Sequence, residues 1–180
     1  MHDPLQILIV GCGAIGGLFA SALASVVKVT AYDANAEHVR AINAQGLRVI
    51  GKNPRLARIV ATDDAATLKG ASFDAVIFLT KSNATGDALA QLRPLLAGNP
   101  MLVTLQNGMG NAEVLLGVPG AIVVRGVTMN AGRFVEPGCV ENLIAGKTWL
   151  GPARGRPDDI RPLGEALNAA DMAAAFSLLT

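Results

Sequence analysis

The chain has 180 residues, of which 51% are hydrophobic and 16% are charged. Soluble domains usually carry about 25% charged residues, so part of this surface is expected to pack against another domain or subunit. A formal net charge of +1 gives no basic footprint for nucleic acid. The length suits one domain, or one domain with a fragment of another. The two cysteines, Cys12 and Cys139, are expected to be free thiols in a reducing cytosol.

Residues 4–27 contain no charged side chain, which superficially resembles a membrane span or a signal peptide. Glycines interrupt this stretch at four positions, and the N-terminus lacks the positive residues that a signal peptide needs. We therefore expect a buried strand followed by a buried helix, in a cytoplasmic protein with no membrane partner.

The apolar run Ile7–Val10 predicts a first strand that leads directly into a glycine-rich turn and a helix over about 14–25. Gly11 permits the tight turn, Gly13 lets a pyrophosphate approach the backbone, and Gly16 lets helix and strand pack closely. The free N–H groups at the start of the helix face the phosphate charge. The predicted dinucleotide contacts here are Gly11, Cys12, Gly13, Ala14, Ile15 and Gly16.

Asp33 follows a second predicted strand, Lys28–Tyr32, about 20 residues after the glycines. Its carboxylate either accepts hydrogen bonds from a ribose or caps the next helix, which is predicted over 36–45 with Asn35 as its candidate N-cap. A carboxylate here repels a 2′-phosphate and so favours NAD over NADP, although Arg40 lies close enough in sequence to offset that repulsion. The same helix is predicted to be a surface helix, with His38 on it.

The rest of the chain alternates strand and helix signals and then becomes strand-rich. The predicted elements are a hairpin over 47–59, a strand over 75–80, a helix over 84–96, a strand over 101–105, a short helix over 112–116, a strand over 121–124, antiparallel β from 128 to 151, a loop over 152–157 and a final helix to about 170. This order predicts an α/β fold, with a Rossmann-type doubly wound, mostly parallel sheet and an added antiparallel β segment.

Lys81 and Asn107 follow two successive buried strands, so both are predicted at the edge of the sheet where ligands bind in this fold class. Lys81 is either a solvated lysine or an ammonium beside a nicotinamide or a substrate carboxylate. Asn107 is either a structural turn residue or an amide that fixes a substrate hydroxyl or carbonyl. The sequence shows no spacing typical of a metal site, a serine-hydrolase elbow or a P-loop lysine.

Five motifs together resemble one known family across nearly the whole chain. They are the glycine turn 11–17, Thr80-Lys81-Ser82, Leu105-Gln106-Asn107-Gly108-Met109-Gly110, Gly126-Val127-Thr128 and Leu150-Gly151-Pro152. The chain is similar to the N-terminal domain of the ketopantoate reductase (2-dehydropantoate 2-reductase) family. The glycine turn is shared by many dehydrogenases, whereas the lysine after a strand followed by the Asn-Gly-Met-Gly turn is more specific.

The resemblance implies reduction of ketopantoate to pantoate by NADPH, with a small 2-keto acid as substrate. It implies that Lys81 contacts cofactor and substrate, that Asn107 holds both, and that Ala131 and Gly132 lie beside the nicotinamide. Family members present a basic residue near the end of the second strand, where this chain has Asp33. The expected cofactor is therefore NADP or NAD, with NADP implied by the family and NAD favoured by Asp33.

The predicted organisation is a dinucleotide-binding domain over 1–168 and, over 169–180, the start of a linker or helical C-terminal domain that is absent from this chain. In the family that helical domain carries the general-acid lysine, so the 180-residue chain is expected to be inactive or weak. A homodimer is one candidate assembly. The alternatives are an NAD-binding regulatory module and a reductase of the same fold that acts on another 2-keto acid.

Overall fold

The computed structural model describes residues 4–176. Its elements, in chain order, are β1 (Gln6–Val10), α1 (Ala14–Leu23), β2 (Lys28–Tyr32), α2 (Ala36–Gln45), β3 (Leu47–Gly51), β4 (Arg55–Ala57), β5 (Val60–Thr62), β6 (Ala75–Phe78), α3 (Thr85–Leu92), β7 (Met101–Thr104), α4 (Asn111–Leu116), β8 (Val123–Thr128), β9 (Ala131–Glu136), β10 (Cys139–Ile144), β11 (Thr148–Arg154), α5 (Arg161–Ala169) and β12 (Ala174–Phe176). Short 3-10 turns precede α3 and α5.

The larger sheet has eight strands in the order β12-β11-β8-β7-β6-β1-β2-β5. All of its pairings are parallel except the antiparallel one between β8 and β11. The chain runs outward from β1 in one direction and then returns to β6 on its other side, so the strand order reverses between these two strands. This reversal opens a crevice beyond the carboxyl ends of the strands, where ligands bind in open α/β sheets. The predicted fold class is confirmed.

The central strands are buried on both faces, which explains their continuous apolar sequences. Ile7 and Ile9 of β1 face one core cluster, with Phe19 of α1, whereas Leu8 and Val10 face another cluster on the opposite side of the sheet. All four of these β1 side chains are fully buried. The strand therefore holds the start of the glycine turn rigidly at its carboxyl end.

The smaller sheet has four strands in the order β4-β3-β10-β9. Its two hairpins are antiparallel, and they join through a parallel pairing of β3 with β10. The hairpin over 47–59 is thus confirmed, with Leu47 opposite Ala57. The sheet packs on α1, where Leu18 meets Val49 and Val140 in a small buried cluster.

Three element boundaries differ from the prediction by more than two residues. Helix α3 ends at Leu92 rather than near 96, because Pro94 has no N–H to continue the helix. Strand β8 covers 123–128 rather than 121–124. The predicted loop over 152–157 is wrong at its start, because β11 continues through Pro152 to Arg154. A proline is tolerated inside β11 because β12 pairs only with 148–150. The edge of the strand at Pro152 is therefore open, and no N–H is needed there for pairing with β12.

The end of the chain adds a strand to the larger sheet. After α5, residues 174–176 pair in parallel with 148–150, and residues 177–180 lie outside the described part. The predicted division between 168 and 169 stays a prediction. Within residues 4–176, no helix combines the length and apolar character needed to cross a membrane.

Candidate functional site

The glycine turn is shaped by the close approach of three backbone segments. Gly11 donates its N–H to the carbonyl of Tyr32 (2.8 Å) and has a φ of +89°, and a Cβ there would lie 2.6 Å from the nitrogen of Thr80. A Cβ on Gly16 would lie 1.8 Å from the carbonyl oxygen of Gly11. The fold itself therefore requires glycine at both positions.

Gly13 differs from these two glycines because a Cβ built there meets no atom within 4 Å. It is the N-cap of α1, and no side chain caps this helix. The first N–H groups of α1 therefore have no side-chain cap, and the space beside Gly13 is open, as an anion-binding helix start requires.

Asp33 is bound to the glycine turn. Its Oδ2 accepts a hydrogen bond from the Cys12 N–H (2.7 Å), and its Oδ1 accepts one from the Asn35 N–H (2.9 Å). The cap of α2 is Asn35, whose side chain accepts from the His38 N–H (3.1 Å). Asp33 is thus not the helix cap, and its carboxylate is held in one place beside the turn.

Cys12 points into the core, and both cysteines are buried free thiols, as predicted. Burial raises the pKa of the Cys12 thiol far above its ordinary value, and the Asp33 carboxylate raises it further. The thiol therefore stays neutral, and Cys12 contributes its backbone to the turn.

His38 is the main correction to the sequence analysis, which placed it on a surface helix. Its side chain is fully buried between the glycine turn and the β9–β10 hairpin. The local pattern of α2 does not reveal this, because the hairpin that covers His38 lies 100 residues further along the chain.

A cleft of about 410 Å³ lies beyond the carboxyl ends of β6 and β7. It brings together five residues singled out from the sequence, which are Ile15, Lys81, Asn107, Ala131 and Gly132. Lys81 and Asn107 are exposed, and within residues 4–176 neither side chain makes a hydrogen bond or ion pair. Both are therefore free to meet a ligand in the cleft.

Gln106 fixes the floor of this cleft, although sequence reasoning gave it no role. Its Nε2 donates to the carbonyl of Thr80 (2.7 Å), and its Oε1 accepts from the hydroxyls of Thr104 (2.9 Å) and Thr85 (3.2 Å). The loops that carry Lys81 and Asn107 are thereby joined. A run of polar residues directly after a buried strand is the signal that would have indicated this network.

Asn111 and Ser82 hold the backbone of Asn107. The Ser82 hydroxyl and the Asn111 side-chain amide both donate to the Asn107 carbonyl, at 3.0 and 3.3 Å. Asn111 is buried, so its position is set by packing. The Asn107 side chain therefore projects from an anchored backbone.

The far wall of the cleft is the start of the β9–β10 hairpin. The Asn130 side chain binds Gly146 through both its oxygen and its nitrogen, at 3.1 Å each, and so fixes the chain before β9. A Cβ on Gly132 would lie 3.3 Å from the Ala14 carbonyl oxygen. The hairpin therefore contacts the first turn of α1 directly.

A second hollow of about 220 Å³ lies beside the cleft and shares Gln106 and Asn107 with it. Here Arg125 and Glu113 form an exposed ion pair at 2.6 Å. Hydrogen bonding to its own backbone N–H lowers the pKa of Glu113, and Arg125 lowers it further.

Within residues 4–176 no cluster of three potential metal ligands is present.

The doubly wound sheet, its glycine turn and the cleft at the strand-order reversal define a Rossmann-type nucleotide-binding fold. Residues 7–155 match the family described as ketopantoate reductase PanE/ApbA. The chain belongs to this family of NAD(P)-dependent oxidoreductases, which confirms the resemblance seen in the sequence.

Two curated relatives are named 2-dehydropantoate 2-reductase. The protein from Pyrococcus horikoshii is 32% identical over 93% of this chain and 54% of its own length. The protein from Halobacterium salinarum is 34% identical over 96% of this chain and 55% of its own length. The chain thus spans about half the length of these relatives.

Solved structures of similar proteins share the fold closely. A PanE/ApbA family ketopantoate reductase from Ralstonia eutropha superposes with a TM-score of 0.85 at 27% identity, over 97% of this chain and 57% of that protein. A D-mandelate dehydrogenase in complex with NADH and anilino(oxo)acetate gives a TM-score of 0.85 at 25% identity, over the same shares.

Proposed function

We propose that this chain is the dinucleotide-binding part of a reductase that transfers hydride from NAD(P)H to a small 2-keto acid. The carrying observation is that the glycine turn, Asp33, Lys81 and Asn107 all lie at the carboxyl ends of adjacent strands around the strand-order reversal. A regulatory nucleotide-binding module needs the turn and the acid but not a free lysine and a free amide in the cleft.

The residues present fit a dinucleotide. The open space at Gly13 and the uncapped start of α1 suit a pyrophosphate, because backbone N–H groups and the helix dipole both favour negative charge there. Each carboxylate oxygen of Asp33 accepts one backbone N–H and has a further lone pair. The carboxylate can therefore also accept hydrogen bonds from ribose hydroxyls. Ala131 and Gly132 would then lie beside the nicotinamide.

Lys81 and Asn107 would bind and orient the keto acid. The coenzyme supplies the hydride when it is bound. The Lys81 ammonium attracts the substrate carboxylate, and the Asn107 amide donates a hydrogen bond to the carbonyl oxygen, where negative charge develops. The proton for that oxygen would come from the part of the relatives that this chain does not cover, and the family resemblance puts a lysine there.

Ketopantoate is the first candidate substrate, because the curated relatives are named for it. A second candidate is an aromatic 2-keto acid such as phenylglyoxylate. It is supported by the similarity to D-mandelate dehydrogenase, whose structure contains NADH. The acidic Asp33 of this chain also suits NADH. The proposed location is the cytoplasm.

Coenzyme binding tests the first part of the proposal. The purified chain is titrated with NADH and with NADPH while coenzyme fluorescence or heat is followed. We expect NADH to bind with a Kd at least about tenfold lower than that of NADPH, because Asp33 repels the 2′-phosphate. If neither coenzyme binds, the proposed function is disproved.

Lys81→Met tests the second part, in a polypeptide that carries the second half as well. We expect kcat/KM for oxidation of NADH by ketopantoate or phenylglyoxylate to fall about 100-fold or more, because the substrate carboxylate loses its charge partner. Lys69→Met is the matched control, since it removes an exposed lysine just before β6. Equal kcat/KM values for the Lys81 and Lys69 variants would disprove the role of Lys81.

A further inference from the structure

His38 connects two walls of the site that are far apart in the sequence. Its Nε2 lies 2.8 Å from the carbonyl oxygen of Cys12 in the glycine turn. Its Nδ1 accepts a hydrogen bond from the N–H of Gly138, at 2.9 Å, in the tight turn of the β9–β10 hairpin. The ring is fully buried, so water does not compete for either bond.

These partners fix the tautomer of His38. Because the backbone N–H of Gly138 can only donate, Nδ1 must be the accepting nitrogen, and the proton is on Nε2, from which it is donated to Cys12. A side chain in this place must therefore present one donor and one acceptor, about as far apart as the two ring nitrogens.

The glycine turn depends on this link. The peptide groups of Cys12 are held on both sides, with its N–H bound to Asp33 and its carbonyl bound to His38. The next residue is Gly13, beside the uncapped N–H groups of α1. The orientation of the proposed pyrophosphate site is thus set by these two side chains.

The hairpin is held by the same ring. A Cβ on Gly138 would lie 3.0 Å from the Cβ of Ala41, so the hairpin turn sits directly on α2. The His38 ring also packs against Phe134 of β9 in an edge-to-face arrangement, with ring centroids 5.0 Å apart. The other end of β9 carries Ala131 and Gly132 into the cleft.

We propose that His38 is a positioning residue for the coenzyme, which holds the pyrophosphate turn and the β9–β10 hairpin in the relative placement that binds a dinucleotide. This inference rests on the proposed dinucleotide binding and adds to it a residue that contacts no part of the ligand. It predicts that the affinity for the coenzyme depends on the hydrogen-bond donor and acceptor at position 38 and not on the stability of α2.

The experiment compares three variants of the 180-residue chain. His38→Leu fills the space but removes both hydrogen bonds. His38→Gln keeps a donor and an acceptor on one side chain. Ile42→Ala is the stability control, because Ile42 is buried one turn further along the same helix and its side chain takes no part in either hydrogen bond of His38. Each is titrated with NADH and with ADP-ribose at a temperature where circular dichroism shows it to be folded.

We expect His38→Leu to raise the Kd of both ligands about tenfold or more, since both contain the pyrophosphate. His38→Gln should recover most of the affinity, and Ile42→Ala should bind like the wild type despite a lower Tm. If His38→Leu binds like the wild type, or if Ile42→Ala weakens binding as much, the inference is overturned while the proposed function stands. If the wild type binds neither ligand, both are overturned.

Discussion

At the scale of single residues, Asp33 combines a structural and a proposed binding role. Its carboxylate accepts from two backbone N–H groups and so fixes the glycine turn to the end of β2. The same negative charge lies where a 2′-phosphate of NADP would be placed by the fold. We therefore expect one side chain to set both the coenzyme preference and the shape of the turn, and a substitution must keep an acceptor to separate them.

Asp33→Asn makes this separation, because the side-chain oxygen of asparagine can still accept from the Cys12 N–H. We expect the ratio of the NADPH Kd to the NADH Kd to fall about tenfold, since the repulsion of the 2′-phosphate is removed. The measurement is a parallel titration with both coenzymes. Asp74→Asn is the control, because Asp74 also accepts from a backbone N–H, that of Gln6, at the opposite end of the sheet.

Cys12 gives a prediction for alkaline stability. Its pKa is raised in the folded state, so the folded chain keeps a proton that the unfolded chain loses above about pH 9. The free energy of unfolding should therefore fall as pH rises beyond that value, by up to about 1.4 kcal/mol per pH unit. Urea unfolding of wild type and Cys12→Ala between pH 8 and 10.5 measures this, and the variant should show the shallower decline. Parallel declines would contradict the assignment.

At the scale of elements, the glycine turn separates folding requirements from binding requirements. Gly11 and Gly16 are needed because a Cβ would meet backbone atoms, at Thr80 and at Gly11 respectively. Gly13 has free space around it, so the fold does not require glycine there. We expect the missing side chain to leave room for the proposed pyrophosphate. The turn also joins three strands, since it follows β1, bonds to the end of β2 and packs against the chain after β6.

A pair of alanine substitutions tests this difference. Gly16→Ala should lower the free energy of unfolding by about 3 kcal/mol or more, because backbone must move to admit the methyl group. Gly13→Ala should cost about 1 kcal/mol at most but raise the NADH Kd about tenfold or more. Urea unfolding and NADH titration of both variants provide the measurements. A Gly13→Ala variant with wild-type affinity would contradict a pyrophosphate at this position.

At the scale of the whole molecule, α1 couples the two sheets. One side of the helix packs on β1 and β2 through Phe19 and Leu23, and the other meets the smaller sheet through Leu18. His38 adds a hydrogen-bonded connection between the same parts. The larger sheet and the smaller sheet are therefore expected to unfold as one unit.

Val140→Ala in the smaller sheet tests this coupling. Val140 is fully buried against Leu18, so the substitution should lower the free energy of unfolding by about 2 kcal/mol. The shift should appear equally in far-ultraviolet circular dichroism and in the fluorescence of Trp149, which lies in β11 of the larger sheet. An unshifted Trp149 transition would show that the sheets unfold separately.

Local signals were sufficient for much of the fold and for part of the site. The apolar runs of β1, β6 and β7, the Asn35 cap and the hairpin over 47–59 depend on neighbouring residues, and all were predictable. The likeness of the glycine turn, Lys81 and Asn107 to one family was also carried by short motifs. The roles of Lys81 and Asn107 remain predictions that the experiments above address.

The fold class and the strand ends at which the candidate residues lie follow from the amino-acid sequence, because strand, turn and cap preferences act over a few neighbouring positions, and the family follows from short motifs. The tertiary structure alone decided that His38 is buried, that β3 pairs in parallel with β10, and that Gln106 joins the two loops of the cleft. Each of these depends on residues far apart in the chain, whose approach is fixed only when the two sheets pack around α1.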